Sequence, residues 1–298
     1  MANTFNNTAA TSVYKEEWAS KLQERLAYPT CWKEVTDVIF SDTRVLHFPY
    51  LSTDVTEAAH TRDSGYNFAN VTGTDSALSI TTSRIAAQKI DRADLAQLSF
   101  NAQMEMADRQ GQLLSERIET AFLADHASWT NVGDPGTGIV SGNATAITVA
   151  AANIDDIVRA VRRIVVAANG KELMARNGLC FVWRATDFEF LEQFAQSNGF
   201  VLADTALKNG IPFSYFFLGA YHYVSNSHTA NHVFAGVRKI VKIGILRATW
   251  GQLVVTQDPS AFTDSKDQYS AVGLATRADY GIHVPQGHST LVFDVNVA

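Results

Sequence analysis

Several groups of side chains in this sequence have the composition that chemistry needs, and each can be held against the spacing its chemistry demands. The stretch "NVGDPGTGIVSGNATAIT", residues 131–148, gathers Gly133, Gly136, Gly138 and Gly142 around Asp134 and Pro135. Glycine-rich loops can cradle phosphate through backbone N–H groups. A Walker-type loop, however, closes its glycine spacing with Lys and a hydroxyl residue, and here Ile139 and Val140 stand in those places. Without that cation and hydroxyl the phosphates lose their main partners. The segment also follows a helical pattern, where a phosphate loop follows a strand, and a dinucleotide fingerprint fails on spacing. A turn is expected instead, with glycine supplying positive φ and Asp-Pro the turn chemistry.

His228 and His232 stand four apart in "SNSHTANH", with His222 nearby. On a helix that spacing can hold zinc, but Ser, Asn and Thr around it indicate a surface loop between strands, so no metal ligands are assigned. Asp187, Glu189 and Glu192 could supply acid–base carboxylates, yet they open an amphipathic helix, where the dipole favours acidic residues in any case. Cys31 and Cys180 form no Cys-x-x-Cys or metal spacing and are expected to be buried thiols. No Gly-x-Ser-x-Gly elbow is present. The basic clusters Arg159, Arg162, Arg163 and Arg238, Lys239, Lys242 suit a solvated or interface face better than a nucleic-acid site. No catalytic or cofactor-binding residues and no cofactor are therefore assigned.

The chain of 298 residues, 46% apolar and 18% charged with a net charge of −6, is an ordinary ordered globular sequence. The acidic balance argues against a domain that holds nucleic acid by neutralising phosphates, though not against a wall that surrounds it. The start "MANTFNNTAATS" lacks the basic and apolar regions of a secretory signal, and no apolar run reaches the ~20 residues of a membrane span. A protein made in a reducing cytoplasm is expected.

The elements that must position these residues follow from periodicity. Residues 1–11 are polar and aperiodic; from Ser12, Tyr14, Trp18, Leu22 and Leu26 recur every four residues as one helical stripe that ends at Pro29. Residues 35–90 turn to β-branched and aromatic runs, "VTDVIFSDTRVLHFPYLS" and "ALSITTSRIAA", separated by a polar stretch with Gly65 and Gly73. This is a long two-stranded excursion, and an isolated hairpin is only marginally stable in water, so it requires support from elsewhere. The strongest helical signal runs from Asp91, a candidate cap, to about residue 125, with Leu95, Leu98, Ala102, Met106, Leu113, Ile118 and Phe122 tracing the apolar stripe. Glu105, Asp108, Arg109, Glu116 and Glu119 take its other faces, and Gly111 is its weak point. A second helix opens on Asn153 and presents Ile154, Ile157, Val161, Ile164 and Val165. "GLCFVWRA" is a buried strand, "TDFEFLEQFAQ" a third helix capped by Thr186, and the remainder is strand-rich. The class is α+β, with strands grouped rather than alternating with helices.

The order of arm, long hairpin, long helix and compact remainder resembles the major capsid proteins of tailed double-stranded DNA bacteriophages, the Johnson fold. Three stretches carry the resemblance further. "GDPGTGIVSG" is similar to the glycine turn after that family's spine helix, "GIPFSYFFLGAYHYVSNS" with "HVFAGVRKIVKIGI" to its strand and VSN-loop succession, and "DQYSAVGLATRADYGIHVP" to its late strand returning to the P-domain. The resemblance implies an N-terminal arm at 1–35 and an E-loop at 40–88, stable only when draped on another copy. It further implies a P-domain at 89–164 with its spine helix at 92–127, an A-domain at 165–245, and a return to P-domain strands at 246–298. It implies a structural, non-enzymatic protein that self-assembles into hexamers and pentamers of an icosahedral capsid enclosing packaged double-stranded DNA. Partners implied are further copies of the chain, a portal and a separate scaffold protein, with DNA enclosed without sequence-specific binding and no membrane. The location implied is the virion capsid, assembled in the host bacterial cytoplasm. Subunit contacts are expected at Tyr14, Trp18, Leu22, Leu26, Phe48, Tyr50, Tyr66 and Phe68. An encapsulin-type nanocompartment shell, a gene-transfer-agent capsid and, from another class, a soluble α+β enzyme are the alternatives.

Some members of that family weld subunits through an isopeptide bond from an E-loop lysine. From Val45 to Gln88 this chain has no lysine, so assembled particles should run as a single monomer band on denaturing electrophoresis; ladders of covalent multimers would contradict this.

Overall fold

The computed structural model describes residues 30–51, 70, 72–91, 102–198, 214–256 and 271–298. The expected arm helix at residues 12–28, the tip of the hairpin at 52–69 and the first turns of the long helix at 92–101 lie outside them. The chain divides into two units. The smaller contains the described parts of Ala87–Gln110 and Leu253–Ala275, and the larger Ala27–Ala86, Gly111–Gln252 and Thr276–Ala298. Strands and helices are grouped along the chain as an α+β protein requires.

The larger unit is built on a seven-stranded sheet. Its strands are β5 (Thr130–Gly133), β6 (Val140–Ser141), β7 (Leu179–Trp183), β8 (Ser214–Phe217), β9 (Ala220–Val224), β10 (His232–Val237) and β14 (Val292–Asn296), in the spatial order β6-β5-β14-β10-β7-β9-β8. Every residue of β7 is buried, as its unbroken apolar run requires, because β10 and β9 flank it and both of its faces are covered. Leu218 and Gly219, both at positive φ, make the two-residue turn between β8 and β9. A second sheet of five strands has the order β1-β11-β13-β12, with β4 also paired to β13. Its members are β1 (Asp37–Ser41), β4 (Thr82–Asp91), β11 (Lys242–Leu246), β12 (Leu253–Thr256) and β13 (Ala271–His283). β2 (Val45–Leu51) and β3 (Gly73–Ser79) form a two-stranded hairpin. Residues 40–41 and 82–88, expected in the hairpin, are therefore sheet strands. The boundaries expected at 164–165 and 245–246 fall inside α3 and β11.

Five helices are described: α1 (Trp32–Val35), the long α2 (Ala102–Ala124), α3 (Ile154–Ala167), α4 (Lys171–Asn177) and α5 (Ala185–Ser197). The described part of α2 spans about 35 Å at 1.5 Å per residue. Gly111 does not interrupt it, and it ends in a 3₁₀ turn at Asp125–Ser128. None of the described helices is long and apolar enough to cross a membrane. α3 buries Ile154, Ile157, Val158, Val161 and Val165 along one face. Asn153 holds its N-cap position, but its amide bonds outside the helix, accepting from Ala150 N and donating to Thr148 O. At α5 the expected cap Thr186 is already inside the helix; Arg184 is the N-cap residue and pairs with Asp187 in the first turn. Asp91, expected as the cap of the long helix, is the last residue of β4.

The apolar face of α2 meets the sheet through Phe122. Its ring lies 5.0 Å from that of Phe234 and 5.5 Å from that of Trp129, and the latter two are 4.9 Å apart. The polar positions hold a surprise. Glu119, expected on an outer face, is fully buried. Its Oε2 accepts from the backbone N–H groups of Cys31 (2.5 Å) and Trp32 (3.2 Å), and its Oε1 accepts from the Ser225 hydroxyl at 2.5 Å. One turn earlier, Ser115 accepts from Trp32 Nε1 at 3.0 Å. Burial pushes the Glu119 carboxyl up against these hydrogen bonds, which pull it down. The expected basic face of Arg238, Lys239 and Lys242 secures the same segment. Lys239 Nζ donates to the carbonyls of Lys33 and Thr36, Arg238 to that of Glu34, and Lys242 pairs with Asp37 at 2.5 Å. Cations at the end of α1 satisfy carbonyls that the helix leaves open.

Glu119→Ala leaves three donors buried without a partner and should lower unfolding stability by about 3 kcal/mol or more. Glu119→Gln should cost less than half of that, because its amide oxygen still takes the two N–H groups and Ser225 can become the acceptor. Urea denaturation of both variants measures this, and equal losses would contradict it.

Candidate assembly surface

The hairpin is the described element that stands apart from both large sheets, so its seat decides what it can reach. β2 alternates strictly between exposed and half-buried residues. Leu46 lies opposite Leu78 and Phe48 opposite Ser76 on the inner face, with Tyr50 next on the same side. Leu78, Ile80 and Leu246 form a small apolar cluster on which Leu46 and Phe48 pack. The Phe48 ring lies parallel to that of His283 at 6.4 Å. The Ser76 hydroxyl meets His283 Nε2 at 2.6 Å and accepts from Gln286 N at 3.3 Å. At the hairpin root, Ile80 N donates to Arg44 O at 2.7 Å.

β13 supplies the floor of this seat. A Cβ at Gly281 would stand 2.2 Å from the Ser79 carbonyl oxygen, so only glycine lets the two backbones approach this closely. Asp279 takes a bidentate pair of hydrogen bonds from Arg277, at 2.8 Å each, and faces Arg44 at 3.8 Å. Burial alone would raise its carboxyl; Arg277, with Ser83 and Arg44, holds it below the usual range. The stretch "RADYG" thus couples an ion pair at the hairpin root to the glycine beneath its stem.

Phe48 and Tyr50, expected at a contact between subunits, are on the face turned to their own chain. The outward face is Val45, His47, Pro49 and Leu51, with His47 paired to Asp75; Val45 and Leu51 are exposed. Sequence reasoning missed this because both faces of β2 carry large apolar residues, so alternation identifies two faces without saying which is in. Tyr14, Trp18, Leu22, Leu26, Tyr66 and Phe68 lie outside the described residues. Further exposed apolar side chains are Phe40 on β1, Ile85 on β4, Phe216 on β8, and Leu253, Val254 and Val255 on β12.

The groups weighed for chemistry are engaged structurally. Asp134 Oδ1 accepts from Gly136 N at 2.8 Å and Gly138 N at 3.1 Å, so the glycine loop already holds an internal carboxylate where a phosphate would sit. The loop leaves β5, a strand that the helical pattern did not reveal. Beside it is a hollow of about 560 Å³ lined by Asp134, Asp156, Arg159 and Arg163. Arg159 there pairs with Asp155 and Asp156, and Arg163 donates to Ile139 O. Asp187 is buried against Arg184, Glu189 accepts from Gln193, and burial raises the Glu192 carboxyl. Cys31 and Cys180 are buried free thiols, and burial pushes Cys180 up to about 12. His222 accepts from Trp183 Nε1 and meets Phe217 O; burial brings it down to about 4. His228 is half-buried, and the desolvation of its ring brings it down to about 3, so both are neutral at pH 7. Neither joins the group that His232 forms with Asp294.

No family model and no curated protein matches the chain. Solved structures do match, over nearly its whole length. One from Mycobacterium phage Che8 has a TM-score of 0.69 at 16% identity, covering 95% of this chain and 97% of that one. One from Gordonia phage Cozz has a TM-score of 0.68 at 15% identity, covering 100% and 95%. The capsid of a native GTA particle has a TM-score of 0.69 at 15% identity, covering 99% of each chain. The fold is the Johnson fold of tailed-phage capsid proteins. Within this fold the hairpin is held at its stem by its own chain, through Gly281, Asp279 and His283.

Gly281→Ala should push the hairpin stem off β13, lowering stability by about 1–3 kcal/mol and raising protease cleavage between β2 and β3. Limited proteolysis with thermal unfolding reads both effects, and an unchanged cleavage pattern would contradict the seat described here.

Proposed function

We propose that this chain is the subunit of an icosahedral capsid, assembling as pentamers and hexamers around packaged double-stranded DNA. The observation that carries this is the end-to-end likeness to the GTA capsid, covering 99% of both chains. The structural, non-enzymatic reading is supported by the fate of the candidate groups: Asp134, Asp187 and His222 are all spent on internal hydrogen bonds.

In this reading residues 1–35 are the arm, the β2–β3 hairpin with its tip is the E-loop, α2 is the spine of the P-domain, and β7 to β11 belong to the A-domain. The outward strip of Val45, His47, Pro49 and Leu51, with Phe40 and Ile85, meets a neighbouring subunit. The stripe Tyr14, Trp18, Leu22, Leu26 lies beneath another, and Tyr66 and Phe68 extend the hairpin contact. Exposed apolar residues in several separate patches suit a wall with many moderate interfaces better than a monomer with one pocket. A net charge of −6 suits a container that encloses DNA without gripping it. A portal and a separate scaffold protein complete the assembly, which forms in the host cytoplasm and remains in the virion. A gene-transfer-agent shell is the same reading with a different DNA cargo.

The full chain, with and without a co-expressed scaffold, should yield closed shells of megadalton size by size-exclusion chromatography and electron microscopy. Deleting residues 1–28 should leave a folded subunit that no longer forms uniform shells. A full chain that stays a monomer or small oligomer under both conditions would overturn the proposal, and uniform shells from the truncated chain would overturn the role of the arm.

A further inference from the structure

Three residues far apart in sequence converge at the end of α2. His126 sits on the 3₁₀ turn Asp125–Ser128, His232 opens β10 and Asp294 lies in β14. The two imidazole rings stack at 3.7 Å between centroids with 22° between their planes. Both aim Nδ1 at the same carboxylate oxygen: His232 Nδ1 is 2.7 Å and His126 Nδ1 3.7 Å from Asp294 Oδ2. One ligand atom from each residue lies within 4.8 Å of the others.

The carboxylate is the telling group. The Asp294 side chain is 2% exposed, and its second oxygen, Oδ1, has no hydrogen-bond partner among the described residues. A buried carboxylate with an unsatisfied oxygen is costly, and a cation offsets that cost better than a single neutral imidazole does. The histidine side chains, 21% and 24% exposed, give the cluster access to solvent.

We propose that His126, His232 and Asp294 form a binding site for one divalent transition-metal ion of the zinc class. The donor set decides the class: two imidazole nitrogens and one carboxylate oxygen suit Zn²⁺ or its neighbours, whereas Ca²⁺ and Mg²⁺ require oxygen-rich shells. A metal lies in the plane of each imidazole that binds it, so the stack must open beyond 22° on loading. The proton on His232 Nδ1 then moves to Nε2 or to solvent as the metal takes its place. The ion ties the end of α2 to β10 and β14, which fastens the helix to its sheet. This site departs from the expectation that the chain has no metal ligands. The flag from spacing, His228 with His232, pointed to the wrong partner, because the true partners are 106 and 62 residues from His232 in the chain (232 − 126 and 294 − 232).

The test uses the full-length chain, stripped with chelator and titrated with Zn²⁺ by calorimetry and with Co²⁺ by visible absorption. One equivalent of Zn²⁺ should bind per chain, and Co²⁺ should give the visible bands of a low-coordinate nitrogen and oxygen site. His126→Ala and His232→Ala should each weaken Zn²⁺ binding at least about tenfold and abolish those bands. His47→Ala, which removes an exposed histidine of the hairpin stem, should leave binding unchanged. Should Asp294→Asn fail to fold, His126→Ala decides, since that side chain is partly exposed on a single turn. No stoichiometric binding, binding indifferent to both His126→Ala and His232→Ala, or binding lost in His47→Ala overturns the site. These outcomes are read on the subunit itself and leave the shell proposal standing or falling by its own micrographs.

Discussion

A carboxylate buried in the middle of the long helix is the constraint around which the larger unit is arranged. Glu119 sits one turn from Phe122 on α2, in a core too apolar to hydrate it. It is tolerable only because donors arrive from two distant segments, the opening of α1 and the loop at Ser225. Once those donors are fixed, residues 30–37 have one route across the helix. The cations of 238–242 then meet the carbonyls and carboxylate of that route. β1 follows directly, pairing in parallel with β11 from Asp37 opposite Lys242. The order of these dependences runs from one charge to a sheet edge.

The hairpin illustrates a second consequence of close backbone approach. Its stem rests on β13 at Gly281 and on β11 at Gly244, where an added Cβ would meet the Leu78 side chain at 2.5 Å. The seat combines apolar packing from Leu46, Phe48, Leu78 and Leu246 with polar ties from Ser76, Arg44 and Asp279. Apolar contact supplies most of the adhesion, and the polar ties fix the register, since a one-residue slip would turn Phe48 outward. A hairpin anchored at the root by its own chain leaves its other face open.

Polar groups that might have served catalysis are instead satisfied by each other. Asp134 folds back on the N–H groups of its own loop, Asp187 clamps Arg184, and His222 is sandwiched between a tryptophan N–H and a carbonyl. Each arrangement stabilises a particular chain path at the expense of reactivity. Asp294 departs from this pattern, with one oxygen committed to His232 and the other without a partner among the described residues, as does His228 through its Nε2.

Periodicity was enough to find α3, the described length of α2 and the fully buried β7. In these segments the local pattern and the final burial agree, because one continuous face meets one large sheet. The sequence also contained the glycine turn, the α+β class and the missing lysine of the hairpin, all of them local properties. It did not contain the burial of Glu119, the inward turn of Phe48 and Tyr50, the short strand β5, or the meeting of His126, His232 and Asp294. Those depend on which strands become neighbours, and the order β6-β5-β14-β10-β7-β9-β8 brings together residues from opposite ends of the chain. A helical or strand period reports which residues share a face; only the packed tertiary structure decides what that face meets, because burial and hydrogen-bond satisfaction are properties of the pair.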